Sequence, residues 1–308
     1  MLRTRCALIP LLLLVVAGCR KPPEAPEGLE EATRFLLSEF YSDDLTVGAG
    51  LTGVMDWYDA EGAALEGLAP DAEEEAANDF RLTVLTEDLL AKVPPSNAGR
   101  TLDQALGVMA VSTLSCDWAG VEPGLIRADQ DVVFEGEWAS YARTYHTDRG
   151  TYAGASVADS YPAMNQPLEP LDDGFDRDAT AATILMTSND TGTEEFGVAL
   201  NYTLHLHLRH GVFDVQGEER HGALVLTYQT EPGIGATGTN ALHQTYSIDI
   251  LIERPDGRML RLVATWNDIE SLLDPESPIL VRTQVNRINR FATRMSAICD
   301  DPSLLPAE

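Results

Sequence analysis

The stretch YSIDILIERPDGRMLRLVATW, residues 246–266, decides the fold. Arg254-Pro255-Asp256-Gly257 has the order of a type I turn followed by a glycine at positive φ. If the chain reverses there with Arg254 opposite Arg258, Ile252 meets Leu260, Ile250 meets Leu262, Ile248 meets Ala264 and Tyr246 meets Trp266. Every apolar residue then lies on one side of a two-stranded ribbon. A slip of one residue would turn one strand's row away from the other's, so the pattern specifies its own register. On the opposite side Asp249 stands diagonal to Arg261, which predicts an exposed ion pair.

Upstream of this hairpin, alternation of apolar and polar residues begins at Ile184 and returns in four further segments, the pattern of an antiparallel meander. Downstream, Asp274 and Pro275 are a suitable cap and first residue for a helix running to Cys299. Val281, Val285, Ile288, Ala292, Met295 and Cys299 share one stripe of it, placing Cys299 on the buried face. Its other faces carry Arg282, Arg287, Arg290 and Arg294, with no acid between Ser277 and Cys299. These cations are expected to meet the protein's own acidic surface, with a partner or lipid headgroups as the other candidates.

Before the meander the reading is mixed. Apolar residues from Leu29 to Tyr41 recur with a helical period. Gly48 to Gly53 reads as a break, followed by a short helix or turn at Val54–Tyr58. The acidic run Asp71–Glu75 reads as a solvated loop. Thr86 caps a helix ended by Pro94 and Pro95, and Thr101 with Gln104 resembles a capping box. Strands are expected at Val108–Cys116 and Asp131–Phe134. Trp138, Tyr141, Ala142 and Tyr145 recur at helical spacing and predict a helix. From His146 to Ala182 no period persists, which marks a long connection between two halves. The fold class is therefore α+β: a helical and mixed part over 29–180, then an antiparallel sheet with a C-terminal helix over 181–308, the two forming one body.

The first residues are of a different kind. Arg3 and Arg5 precede an apolar run, Cys6 to Ala17, that is too short to cross a bilayer as a helix and suits the core of a signal peptide. It ends in Val16-Ala17-Gly18-Cys19, which resembles the lipobox of bacterial lipoproteins. The resemblance implies cleavage after Gly18, diacylglycerol and palmitate-type acylation on Cys19, and anchoring to a membrane of the cell envelope, the outer membrane by default because Arg20 follows. Residues 19–28 would then form a lipidated, Pro-rich tether.

The whole chain carries 21 Lys+Arg against 49 Asp+Glu, a formal charge of −28, which disfavours nucleic acid as a partner. With Cys6 in the signal and Cys19 lipidated, Cys116 and Cys299 remain in an oxidising compartment. They are expected to pair, with buried free thiols or one reactive thiol as the alternatives.

Chemistry-bearing patterns are sparse. His205 and His207 would project from one face of a strand, a geometry that zinc sites use, with His210, His221 and His243 nearby in sequence. The bland alternative is two imidazoles on a solvated sheet surface. Gly233 to Gly238 matches a dinucleotide fingerprint as a string but has no room for the helix that motif requires, so a loop is expected. Asp172, Asp173, Asp176 and Asp178 lack EF-hand order and read as an acidic turn. No Gly-x-Ser-x-Gly, His-Glu-x-x-His or P-loop occurs, no cofactor is called for, and no catalytic residue is assigned. The expectation is a non-enzymatic envelope lipoprotein, a binding or structural module that binds a partner or serves the cell surface. Alternatives are a carrier of an apolar ligand, with a cavity lined by the hairpin's apolar row, and a metal-dependent hydrolase using the strand histidines.

Overall fold

The computed structural model describes residues 21–70, 77–93, 105–127, 140–148, 184–195, 198–235, 240–270 and 277–304. Outside them lie the signal and lipobox, the acidic run at 71–75, the box at Thr101, the strand at Asp131–Phe134, Trp138, Asp274, Pro275, and the aspartates at 172–178.

The described residues include the α-helices α1 (Leu29–Ser38), α2 (Asp44–Ala60), α3 (Glu87–Leu90), α4 (Trp118–Glu122) and α5 (Pro278–Asp300). Nine strands form one antiparallel sheet: β1 (Arg81–Leu82), β2 (Leu106–Leu114), β3 (Ser140–Asp148), β4 (Ile184–Glu195), β5 (Val198–Val215), β6 (Glu218–Tyr228), β7 (Gly233–Ile234), β8 (Ala241–Glu253) and β9 (Met259–Glu270). Their order is β1-β2-β9-β8-β6-β5-β4-β3, with β7 beside β8. The fold is α+β, and the five alternating segments expected from Ile184 onward are β4, β5, β6, β8 and β9.

The 246–266 hairpin takes the register its pattern specifies, with Ile252 opposite Leu260 and Tyr246 opposite Trp266. Gly257 sits at φ 82 and donates its N–H to Arg254 O over 2.9 Å, while Arg254 N–H reaches Arg258 O over 2.8 Å. Its apolar row does not meet the C-terminal helix. It packs against α1 and α2, in one core with Leu36, Phe40, Leu51 and Met55. No member of the row from Tyr246 to Trp266 is more than 3% exposed, and each such large side chain contributes roughly 1.5–3 kcal/mol. The cavity that the carrier alternative places along this row is thus filled by α1 and α2, and a carrier would need another site.

The C-terminal helix α5 lies on the other face. Its first half packs on Leu106, Val108, Ala110 and Val263, and its second on Leu114, Leu251 and Met259. It starts at Pro278, capped by the Ser277 hydroxyl, which accepts the Ile279 N–H at 3.3 Å. Two cap-proline pairs stand in tandem here, and the helix uses the second. Because α5 covers this face, Asp249 and Arg261 are not the exposed pair expected: their side chains are 17% and 9% exposed.

The glycine run 48–53 is not a break. It lies inside α2, whose cap Asp43 accepts the Thr46 N–H at 3.0 Å. A Cβ at Gly48 would sit 2.5 Å from Asp214 O of β5, and one at Gly53 would sit 2.5 Å from Pro26 O. Glycine here costs helix propensity and permits backbone to approach backbone. The second contact also shows that the expected tether is docked at its end, since Ala25 and Pro26 are half-buried against α2.

Ser140–Asp148 is strand β3 rather than a helix. Its Tyr, Thr and Arg residues satisfy a period of two as well as one of 3.6. Pairing with β4 from Ser140–Gly192 to Tyr145–Thr187 supplies the ladder that decides between them.

Cys116 and Cys299 form a disulfide across a separation of 183 residues. It ties the end of α5 to the segment between β2 and α4.

Candidate functional site

Among the described residues, buried polar side chains lie on both faces of the sheet. On the α1–α2 face, β5 places His205, His207 and Arg209. His207 is fully buried. Its Nδ1 meets the phenol of Tyr41, which follows α1, and its Nε2 meets the phenol of Tyr228 on β6 at 3.3 Å. A neutral imidazole has one N–H and one lone pair, so one phenol donates and the other accepts. Burial, with a smaller contribution from Tyr246, pushes the Tyr228 hydroxyl far above the usual phenol range. His205 is half-buried and stacks on the Tyr228 ring with centroids 5.3 Å apart. Arg209 donates to Phe40 O at 2.9 Å and Ser42 O at 2.6 Å and pairs with Asp44.

The expected histidine pair is therefore brought together, but around His207 it is buried rather than on a solvated surface. Both His207 nitrogens are committed to phenols. The other histidines go elsewhere. His210 stacks on Trp118, His221 is exposed, and His243 contacts Glu270 at 2.7 Å. Among the described residues no three His, Cys, Asp or Glu side chains gather as a metal site. The cluster holds the α1–α2 corner to β5 and β6. Sequence spacing found the histidines but not their partners: Tyr41 lies 166 residues from His207, and Tyr228 lies 21 residues from it across the reversal between β5 and β6.

The opposite face is arranged differently. The register sets Leu206, Thr227, Ser247 and Thr265 side by side across β5, β6, β8 and β9, with Leu208, Val225, Asp249 and Val263 as the next row. Arg261 Nε donates to Asp249 at 3.0 Å, its Nη2 reaches the same carboxylate, and its Nη1 donates to Ile288 O of α5 at 3.3 Å. This pair joins the sheet to the backbone of the covering helix.

Two walls rise from this floor. Asn289 of α5 donates to Leu68 O at 2.8 Å, and Ser296 contacts Ser115, so that flank of the helix faces the β2 side of the sheet. Helical geometry then turns Gln284, Arg287, Phe291 and Arg294 toward β8 and β6. The second wall is α4 with the π-helical turn Pro123–Arg127, whose Trp118 and Leu125 pack on Leu208 and Val225. The walls meet at the disulfide and where Gly124 lies 3.5 Å from Met295, measured to a Cβ built on the glycine. Between them Leu204, Leu206, Thr227, Ser247 and Asp249 are only half-buried. We refer to this half-buried strip between the two walls as the cleft; among the described residues its end on β5 is apolar and its end on β8 polar. Gly233 and Ile234 of the glycine-rich string form β7 beside Leu242 and Ala241 of β8, and residues 236–239 lie outside the described residues.

No family model matches the chain, and no curated protein does. Among solved structures it is similar to the human StarD13 (DLC2) lipid transfer and protein localization domain, with 9% identity and a TM-score of 0.39 over 72% of this chain and 93% of that one. It is also similar to Ara h 8.0201, with 11% identity and a TM-score of 0.28 over 63% and 97% of the two chains. An uncharacterised Rhizobium leguminosarum protein shows 11% identity and a TM-score of 0.30 over 64% and 95%.

Proposed function

We propose that this chain is a non-catalytic carrier, tethered to a membrane of the cell envelope through lipid on Cys19, that holds a small amphipathic molecule between α5 and the sheet. The observation that supports this is the difference between the two faces. The α1–α2 face is closed by large apolar side chains. The α5 face keeps a half-buried strip of leucine, threonine, serine and aspartate flanked by Trp118, Leu125 and Phe291. A mostly apolar wall with a few placed polar groups is the usual make-up of a small-molecule site.

The tether fits the same reading. Pro26 is packed against α2, so the chain leading to Cys19 leaves from the face opposite the cleft. Anchoring would leave the cleft unobstructed, and the residues from Cys19 to Glu24 would allow a reach of about 20 Å when extended.

Fluorescence of the neutral apolar dye N-phenylnaphthylamine tests the carrier. It should rise on addition of wild-type protein and stay low with Ser247→Trp, which fills the floor. Leu206→Trp provides a second block from the β5 end, and circular dichroism checks that each variant is folded. A wild-type protein that leaves the dye dark, or folded blocked variants that brighten it equally, would overturn the proposal.

A further inference from the structure

On the carrier reading, the wall that α5 raises over the strip bears on the charge of the ligand. α5 carries Arg282, Arg287, Arg290 and Arg294 and no acid between Ser277 and Cys299, in a chain with 49 Asp+Glu against 21 Lys+Arg. Arg282 and Arg290 are exposed, whereas Arg287 and Arg294 are half-buried, which agrees with their turn toward β8 and β6. They flank Phe291 on one stripe, and the Arg287 guanidinium lies 5.7 Å from the centre of that ring. A guanidinium has several N–H donors, so a contact within the chain and a contact to a ligand are compatible.

Gln284 begins the same stripe. It is 9% exposed, and its amide makes no hydrogen bond to any described residue. A buried amide without a partner is destabilising, and a ligand that accepts its N–H removes that cost. On the floor, Thr227 and Ser247 stand directly opposite one another on β6 and β8, half-buried and likewise without a hydrogen bond to any described residue. Amide, hydroxyl and guanidinium groups all donate, and a carboxylate accepts at both oxygens. Asp249 beside them does not oppose an anion, because Arg261 holds it through three contacts. On the second wall Asp117 caps α4, accepting the Gly120 N–H at 3.1 Å. Leu206 lies opposite Thr227 on β5, with Leu204 two residues before it and Trp118 and Leu125 beyond, so an aliphatic chain extends from the donors over β5.

We infer that the cleft takes amphipathic anions, with a carboxylate head between Gln284 and Arg287 of α5 and the hydroxyls of Thr227 and Ser247, and with Arg294 adding positive charge beyond Phe291. Decanoate, decanol and decylamine carry chains of one length and can compete for bound N-phenylnaphthylamine at pH 8. Decanoate should displace the dye at a concentration at least about tenfold below either of the others, since a hydrogen bond to a charged group contributes about tenfold more than one between neutral groups. In Arg287→Gln/Arg294→Gln the cost of withdrawing a carboxylate from water remains without its countercharge, so decanoate should do no better than decanol while the dye binds as in wild type. Gln284→Leu should weaken decanoate by about threefold or more, and circular dichroism checks that each variant is folded. Equal or better displacement by decanol or decylamine with the wild-type protein overturns the inference and needs no variant. A decanoate preference that survives in the folded double variant overturns it as well, and unchanged decanoate in Gln284→Leu removes that residue from the site. Each of these results leaves the carrier reading intact, whereas a dye that never binds removes both.

Discussion

Replacing Arg261 by Met isolates what the ion pair under α5 does. Methionine roughly matches the length of the arginine stem and removes three contacts to Asp249 and one to Ile288 O. The Asp249 carboxylate, 17% exposed, is left without its cation. Breaking a buried pair on one side typically costs 3–5 kcal/mol. Because Asp249 keeps some solvent on the cleft side, Arg261→Met should lose about 3 kcal/mol. Adding Asp249→Leu removes the stranded charge and places an apolar side chain beside Val225 and Val263, its partners in the register. The double variant should recover to within about 1 kcal/mol of wild type, since apolar replacement of a buried pair is often neutral or better. Urea unfolding with the disulfide intact measures both, provided the m-values agree. A loss below about 1 kcal/mol in the single variant, or a double variant no more stable than the single, would refute the claim that desolvation dominates here.

Other perturbations test other parts of the structure. Gly48→Ala should destabilise by about 2 kcal/mol in thermal or urea unfolding despite alanine's better helix propensity, because its Cβ would press on Asp214 O; a stabilised variant would mean that α2 stands further from β5. Tyr228, whose phenol is pushed up by burial, keeps its proton in the folded state while the unfolded chain loses it near pH 10. Folding stability should therefore fall above pH 10 by up to about 1.4 kcal/mol per unit, and Tyr228→Phe should flatten that alkaline limb. Cys299→Ser should lower stability by about 2–5 kcal/mol, the upper end reflecting the 183-residue separation; dithiothreitol should lower the wild-type melting temperature and leave the variant's unchanged. Labelled palmitate should enter the wild-type chain in a bacterial host and be absent from Cys19→Ser, and equal labelling would remove the tether.

Local pattern made the sheet legible. The 246–266 hairpin, its turn and its register follow from alternation and one Pro-Asp-Gly, because strand pairing across a short turn is set by neighbours in sequence. The stripe of α5 and the Cys116–Cys299 bond were visible for a related reason: helical spacing puts Cys299 on the buried side, and only one other cysteine remained for it in the body. Errors arose where a local signal has two readings. Glycine at 48, 50 and 53 marks a break in an isolated helix, yet in α2 it serves contact with β5, α1 and the tether. Tyr141 and Tyr145 fit a helix stripe and a strand equally, and only β4 selects the strand.

The candidate site was scarcely legible. His205 and His207 stood out as a pair, whereas Tyr41, which meets His207, is 166 residues away, and Tyr228 reaches it only through the register of β5 with β6. Thr227 and Ser247 carry no motif at all. They matter only because β6 pairs with β8 on a face that α5 and α4 cover from its two sides.

By itself the sequence determined the hairpin register, the meander, the last helix and the α+β class, since each rests on periodicity within one element or across one turn. Only the tertiary structure decided which face each helix covers. An apolar row states that it must be buried and not by what, so the hairpin's row could as well have met α5 or a ligand as α1 and α2. That choice places Asp249 and Arg261 under a helix instead of in water, and it leaves the half-buried strip on which the proposed function rests.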